Sequence, residues 1–479
     1  MSSHPLLTLL AAILPVLHVL GIFSAVEVLL SRRSSQASIA WCLFLVFFPV
    51  LGLPFYWALG RSRFLGYQKR IARVVEHSHK ALQWYHQQIR SNIAKPDDPD
   101  ASRAETFSRI SGTDFVGGND VRLLVDGSAT FDAIFEAIDR AAHFILVEFF
   151  IIKDDEIGSQ FKDKLLGAAR RGVQIFFMYD EVGSHSLPAH YLRELQAAGV
   201  QVTQFGTRKG GLRNFFQVNF RNHRKIVVVD GQVGFHGGHN VGDEYLGRDP
   251  YFGHWRDTHL RIEGPAVLHL KGIFFADWVW ATGTTPEVDM LAPTTRGTTA
   301  ILTIPSGPAD EQARCLLYFM HCISSARSRL WIATPYFIPD DGLLSALHLA
   351  ALRGVDVRVL VPAKKDHLLV WLASFFYVPE ATRLGVKVYR YRDGFLHQKV
   401  VVVDDQYASV GSANFDNRSF RLNFEATSIV ADHAFNAQVA EMLERDLAQA
   451  EDVTLNPVSD LPLWKRVGSR FARLFSPVL

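Results

Sequence analysis

HRKIVVVDG (223–231) and HQKVVVVDD (397–405) are two spellings of one pattern, H-x-K-x4-D. Each is a run of β-branched residues ending in a polar turn, which reads as a buried strand. Alternation down such a strand sets the histidine and lysine on one face, two positions apart. Outward from this core the copies keep matching. RGVQIFFMYD (171–180) is echoed by RGVDVRVLVP (353–362), and AGVQVTQF (198–205) by LGVKVYRY (384–391), in the same order. Three ordered echoes indicate a duplicated domain. Helical patterns separate the strands, as between HFILVEFFII (143–152) and VQIFFMYD (173–180). The expected class is therefore α/β, with two sandwich halves built of helices on a largely parallel sheet.

The chemistry is concentrated beside the repeated strands. His223, Lys225 and Asp230 match His397, Lys399 and Asp404. A neutral imidazole can attack phosphorus or carry a proton near pH 7, and a neighbouring ammonium can neutralise phosphate oxygens. Asn240 and Asn414 each follow their histidine by 17 residues, in turns GGHN (237–240) and GSANFDNRS (411–419). With Ser412 they are potential phosphate donors, in turns whose small residues allow close backbone approach. Asp257 and Glu425 follow in each half, able to orient an imidazole and stabilise its charged form. Asp230 and Asp404 admit a second reading, as residues that hold the strand-to-turn geometry.

The halves differ at one place. Gly199 and His223 are 24 residues apart, but Gly385 and His397 only 12. The extra residues fall within GTRKGGLRNFFQVNFRN (206–222), where Arg208, Lys209, Arg213 and Arg221 are interleaved with Phe215, Phe216 and Phe220. Such a segment is expected to form a rim that meets an anionic bilayer, or else a solvated hairpin.

The 479 residues are 48% hydrophobic and 20% charged, with net charge +2. The mean hydropathy of +0.08 lies at the apolar edge of the globular range, which excludes disorder. Three cysteines, Cys42, Cys315 and Cys322, exclude a disulfide scaffold. The apolar excess is N-terminal. Residues 6–30 carry Glu27 alone, and 37–59 carry no charge, so two membrane spans are expected. Trp41, Tyr56 and Trp57 suit headgroup level. Arg61, Arg63, Lys69, Arg70, Arg73 and Lys80 crowd the exit of the second span and outweigh Arg32 and Arg33, which predicts a cytoplasmic catalytic region. The expected organisation is 1–62 as two spans, 63–105 as basic juxtamembrane segment and linker, 106–290 as the first half and 291–479 as the second. Near its end LPLWKRVGSRFARLF (461–475) reads as a basic helix with aromatic residues, suited to an anionic lipid surface or to packing on the domain.

The paired H-x-K-x4-D elements with downstream G-[GS]-x-N resemble the phospholipase D superfamily. GGHNVGDEYLG, WRDTHLRIEGPAV, TPYFIPDDG and GSANFDNRSFRLNFE resemble bacterial cardiolipin synthases, as does AWCLFLVFFPVLGLPFYWALGR at the N-terminus. In the first half Gly238 stands where the second has Ser412, so one hydroxyl is missing. The resemblance implies phosphatidyl transfer between two phosphatidylglycerol molecules through a phosphohistidine, with His223 as nucleophile and His397 as acid and base. It implies anionic membrane lipids as partners, no metal or other cofactor, and residence in the bacterial inner membrane. A lysine beside each histidine independently argues against a divalent ion. A hydrolase or another alcohol-using transferase would share these residues. A nuclease or nucleic-acid binder is disfavoured by the spans and the near-neutral charge.

Overall fold

The computed structural model describes residues 5–31, 35–60, 63–76, 79–206, 219–454 and 462–479. They fall into two units: one runs to Tyr67 and includes Asn219 and Phe220, and the other comprises Gln68–Gly206 with Arg221–Leu479.

The larger unit is built on one continuous sheet. From the first half it takes, in spatial order, Val116–Val125, Thr258–Glu263, Val233–Gly237, Ile226–Val229, Phe144–Phe149, Gln174–Asp180 and Gln201–Phe205. The second half repeats that order outward: Thr299–Ser306, Asn423–Ala431, Tyr407–Gly411, Val400–Val403, Arg329–Ala333, Asp356–Pro362 and Lys387–Tyr391, with Ala450–Asp452 at its edge. The halves join where Val116–Val125 pairs antiparallel with Thr299–Ser306, Val116 opposite Ile301.

The sheet is mixed, which corrects the expectation of a largely parallel one. Within each half the long parallel pairings are Phe144–Phe149, Gln174–Asp180 and Gln201–Phe205 in the first, and Arg329–Ala333, Asp356–Pro362 and Lys387–Tyr391 in the second. Those strands are linked by helices, Glu156–Arg170 and Ala189–Ala197 in the first half, long enough for a crossover. The histidine-bearing strands instead turn back directly. At Asp230 (φ 53°) and Gly231 (φ 66°) two positive φ values close a tight hairpin between Ile226–Val229 and Val233–Gly237, which must be antiparallel. Ile145, Val147, Phe177, Val227 and Val229 form the first core with Phe161 and Leu165 of a covering helix. Leu330, Ile332, Val357, Val359, Val401 and Val403 line the second.

The helix Ala101–Ser111 crosses the boundary expected at 106. Its N-cap Asp100 accepts from Ser102 N–H, and Gly112 ends it at φ 80°. Phe107 is buried in the second half's core, its ring 5.5 Å from that of Tyr407. Arg103 of the same helix donates to Asp98 and to Asp404. The stretch read as a linker is thus fastened to the second half by a buried ring and a buried cation.

In the smaller unit, Pro5–Leu30 is one helix, and its Ile13–Leu30 window has mean hydropathy 2.2. Among the described residues it is the one helix long and apolar enough to cross a membrane. The second expected span is broken into Ser35–Phe47, Pro49–Phe55 and a π-turn Tyr56–Gly60. The break falls at Phe48 (φ −130°, ψ 53°), because Pro49 disfavours a helical residue before it. The two segments pack antiparallel. A Cβ at Gly21 would lie 2.4 Å from Leu45 carbonyl oxygen, so only glycine permits the approach, and Cys42 Sγ lies 3.7 Å from Ala25 carbonyl oxygen.

Candidate active site

The two aspartates of the repeated motif are structural. Asp230 accepts from the backbone N–H groups of Ala142, His143 and Phe144 at 2.8–2.9 Å. Asp404 accepts from the backbone of Arg327, Ser328 and Arg329, from the Ser328 hydroxyl and from Arg103 Nη1 at 2.7 Å. Each tethers the end of the histidine strand to the start of its neighbour. Of the two readings open for these aspartates, the contacts are those of residues that hold the strand-to-turn geometry, with lone pairs facing backbone N–H groups.

The histidines are brought together by an exchange between halves. Arg221–Asn222 pairs parallel with the start of Asn423–Ala431, and Phe395–Leu396 with Trp255–Arg256. His223 N–H donates to Phe424 carbonyl oxygen, and His397 N–H to that of Arg256. Each histidine is thereby delivered to the acid of the other half. His223 Nδ1 lies 3.0 and 3.1 Å from the Glu425 oxygens and 3.1 Å from Ser412 carbonyl oxygen; His397 Nδ1 lies 2.6 Å from Asp257 Oδ2. The acid following a histidine in its own half is not its partner.

Glu425 is held by the Ser412 hydroxyl at 2.5 Å, the Ser419 hydroxyl at 2.9 Å and Asn423 Nδ2 at 3.1 Å. The Ser412 hydroxyl thus supports the acid that holds His223. A Cβ at Gly238 would lie 2.0 Å from Asp257 Oδ1, which is why the equivalent position carries no side chain. Asn240 is also engaged in the scaffold, accepting from Ile151 N–H at 3.1 Å and donating to Tyr245 hydroxyl at 2.9 Å. Asn414 is different, since its buried Oδ1 has no partner.

Lys225 and Lys399 are buried and donate to the carbonyl oxygens of His223 and His397. Lys399 Nζ is also 2.8 Å from His397 Nδ1. That nitrogen has one hydrogen, and Asp257 takes it, so the ammonium opposes an imidazolium there. Burial, opposed by Glu425 and reinforced by Lys225, lowers His223 to about 4. Burial and Lys399 lower His397 to about 3. Burial also brings Lys399 down to about 8. Against burial, His223, Lys225 and Ser412 hold Glu425 down to about 2, and Lys399 and His397 hold Asp257 far below the usual carboxylate range. Both imidazoles are therefore neutral at pH 7, each with Nδ1–H held by a carboxylate and its Nε2 lone pair available for phosphorus or a proton.

Several contributors carry no motif. Phe150 lies 4.9 Å from the His223 ring and 5.4 Å from Lys225 Nζ. Trp255 and Phe395 lie 5.1 and 6.1 Å from the His397 ring. Behind the strand, Arg224 donates to Asp277 at 2.5 Å and Ser306 carbonyl oxygen at 3.1 Å, while Gln398 donates to Asp446 at 2.7 Å. The middle residue of H-x-K differs between halves, which hides this equivalence, although Arg224 beside the histidine was a visible signal. Of the insertion, residues 207–218, with Arg208, Lys209, Arg213, Phe215 and Phe216, lie outside the described residues. Phe220, expected in a rim, is buried, its ring 5.5 Å from that of Phe64. Among the described residues no three His, Cys, Asp or Glu side chains are grouped to hold a metal ion.

Two duplicated α/β halves, each burying a His–Lys pair against the other's carboxylate, define a phospholipase D-like fold. The family model "Cardiolipin synthase, PLD-like domain" matches residues 134–278 and 319–447, and "Phospholipase_D-nuclease N-terminal" matches 19–61. Cardiolipin synthase A of Pseudomonas entomophila strain L48 is 47% identical over 468 residues, covering 97% of both chains. That of Pseudomonas aeruginosa strain LESB58 is 46% identical, covering 98% of this chain and 96% of the relative. In fold, the chain is similar to the phosphatidylserine synthase of Haemophilus influenzae Rd KW20, with TM-score 0.59 at 14% identity, over 79% of this chain and 100% of that one. The chain belongs to the phospholipase D-like cardiolipin synthase family.

Proposed function

We propose that the chain is a phosphatidyltransferase that converts two phosphatidylglycerols to cardiolipin and glycerol. The observation that carries this reading is the crossed pair of His–carboxylate contacts, which supplies two equivalent bases in one water-poor site. His223 Nε2 attacks phosphorus of the first phosphatidylglycerol, and the bond to the glycerol headgroup oxygen breaks. His397, charged once the phosphodiester anion raises its proton affinity, protonates the leaving glycerol. Lys225 and Lys399 offset the charge that builds on the non-bridging oxygens. His397, again neutral, takes the proton from a headgroup hydroxyl of the second phosphatidylglycerol, whose oxygen displaces His223 from phosphorus. Asp257 and Glu425 hold the rings throughout.

Water attacking at the second step would make the same site a hydrolase. Enzyme given phosphatidylglycerol alone is expected to form cardiolipin and glycerol in equal amounts. Phosphatidic acid as the main product would reject the transfer reading.

The N-terminal segments form the anchor. Pro5–Leu30 and the broken stretch to Gly60 cross the inner membrane as a hairpin. This is supported by exposed Ile22, Phe23, Val26, Leu29, Leu43, Phe47, Val50 and Phe55, which present an apolar exterior while Val28, Leu45 and Leu53 pack within. Arg63, Lys69, Arg70 and Arg73 then put the catalytic unit in the cytoplasm. A C-terminal tag reached by protease in intact spheroplasts would overturn that orientation.

A further inference from the structure

The helix Leu463–Arg473 has its polarity turned inside out. It meets the protein with small residues: Ser469 and Ala472 are buried, and Gly468 has room for a Cβ only 3.5 Å from Leu372 of helix Leu368–Thr382. Its large apolar side chains point the other way. Leu463, Trp464, Val467, Phe471 and Leu474 are 58–73% exposed. At about 100° per residue they share about a third of the circumference, roughly opposite Ser469 and Ala472. Soluble surfaces seldom leave such a stripe uncovered.

Charge identifies the cover. Residues 462–479 include Lys465, Arg466, Arg470 and Arg473 and no acid. Arg466 and Arg470 lie along one edge of the stripe. Lys465 Nζ lies over Trp371 and Phe375, 5.1 and 4.9 Å from their ring centres, and the Arg473 guanidinium lies 4.2 Å from that of Phe376. A second copy docking by a twofold contact would set these cations against themselves. An anionic bilayer accepts both the rings and the charges.

We infer that this helix lies in the headgroup layer of an anionic membrane, apolar stripe inward, and is a lipid contact of the catalytic unit separate from the N-terminal anchor. The inference rests on the reading of lipid as substrate. It adds a site that the reaction itself does not require.

The test uses the full chain in nanodiscs of phosphatidylglycerol with phosphatidylcholine, in phosphatidylcholine alone, and in mixed micelles. Amide exchange over 463–474 is expected to slow in the anionic discs only. Val467→Glu with Phe471→Glu should abolish that protection and lower turnover about fivefold in anionic discs. Micellar turnover and thermal midpoint should not change. Equal exchange in all three media, or unchanged turnover of the variant in anionic discs, would overturn the inference. So would a dimer in micelles that the variant dissociates, which assigns the stripe to a second copy. Should the wild type make no cardiolipin in any medium, the proposed reaction fails, and amide exchange still decides whether the helix docks.

Discussion

Gly238 and Ser412 are equivalent by sequence, and the carboxylates they face explain why they differ. Ser412 fills the gap beside Glu425 and donates to it, whereas Asp257 occupies the space a side chain at 238 would need. Gly238→Ser is expected to push Asp257 away from His397. Thermal unfolding should report a loss of about 1–3 kcal/mol, with turnover falling more steeply than stability. The crossed contacts have their own signature. Thermodynamic double-mutant cycles should give couplings of about 0.5–3 kcal/mol for His223 with Glu425 and for His397 with Asp257. Larger couplings for His223 with Asp257 and His397 with Glu425 would refute the exchange. In turnover, His223→Ala and His397→Ala should each remove nearly all activity, and the double variant should be little worse.

At the scale of elements, the motif aspartates are strand clamps. Asp404 differs from Asp230 in having a cation, Arg103, brought by a helix that precedes the first half. Breaking a buried pair leaves an uncompensated charge, and Arg103 is only 4% exposed. Arg103→Ala is expected to cost about 3 kcal/mol in urea unfolding, while residual folded enzyme keeps its KM, because Arg103 lies in the scaffold. A normal unfolding curve would mean that Phe107 alone holds the helix. The hairpin turn at Asp230 was legible as a strand end followed by Gly231. The helix Ala101–Ser111 was not, since Asp404 and Tyr407, which hold Arg103 and Phe107, are about 300 residues away and no local pattern names them.

For the whole molecule, the buried histidines set a pH dependence. His223, His236 and His269 are lowered to about 4, and His397 to about 3. Their folded values lie below the unfolded one of about 6.5, so the unfolded chain binds protons first as pH falls. The contribution of these histidines to stability should be full above about 6.5 and decline as pH drops towards 4. His269 is the cleanest reporter, because burial alone shifts it and it stands outside the site. His269→Leu in micelles should flatten the decline between pH 6.5 and 4 without altering turnover at pH 7. An unchanged slope would place the proton uptake elsewhere.

The duplication, the two His–Lys pairs and their carboxylates were all readable in the chain, because burial, alternation and spacing are local properties that a repeat displays twice. The apolar N-terminus was readable for the same reason, and Pro49 could have warned of its break. Only the tertiary structure decided which acid serves which histidine. Sequence distance pairs His223 with Asp257, but the parallel contact of Arg221–Asn222 with Asn423–Ala431 pairs it with Glu425. It likewise decided that Asp230, Asp404, Asn240 and Ser412 belong to the scaffold. A carboxylate or amide looks the same in sequence whether its lone pairs meet a substrate or a backbone N–H, and the difference lies in what folding packs against it.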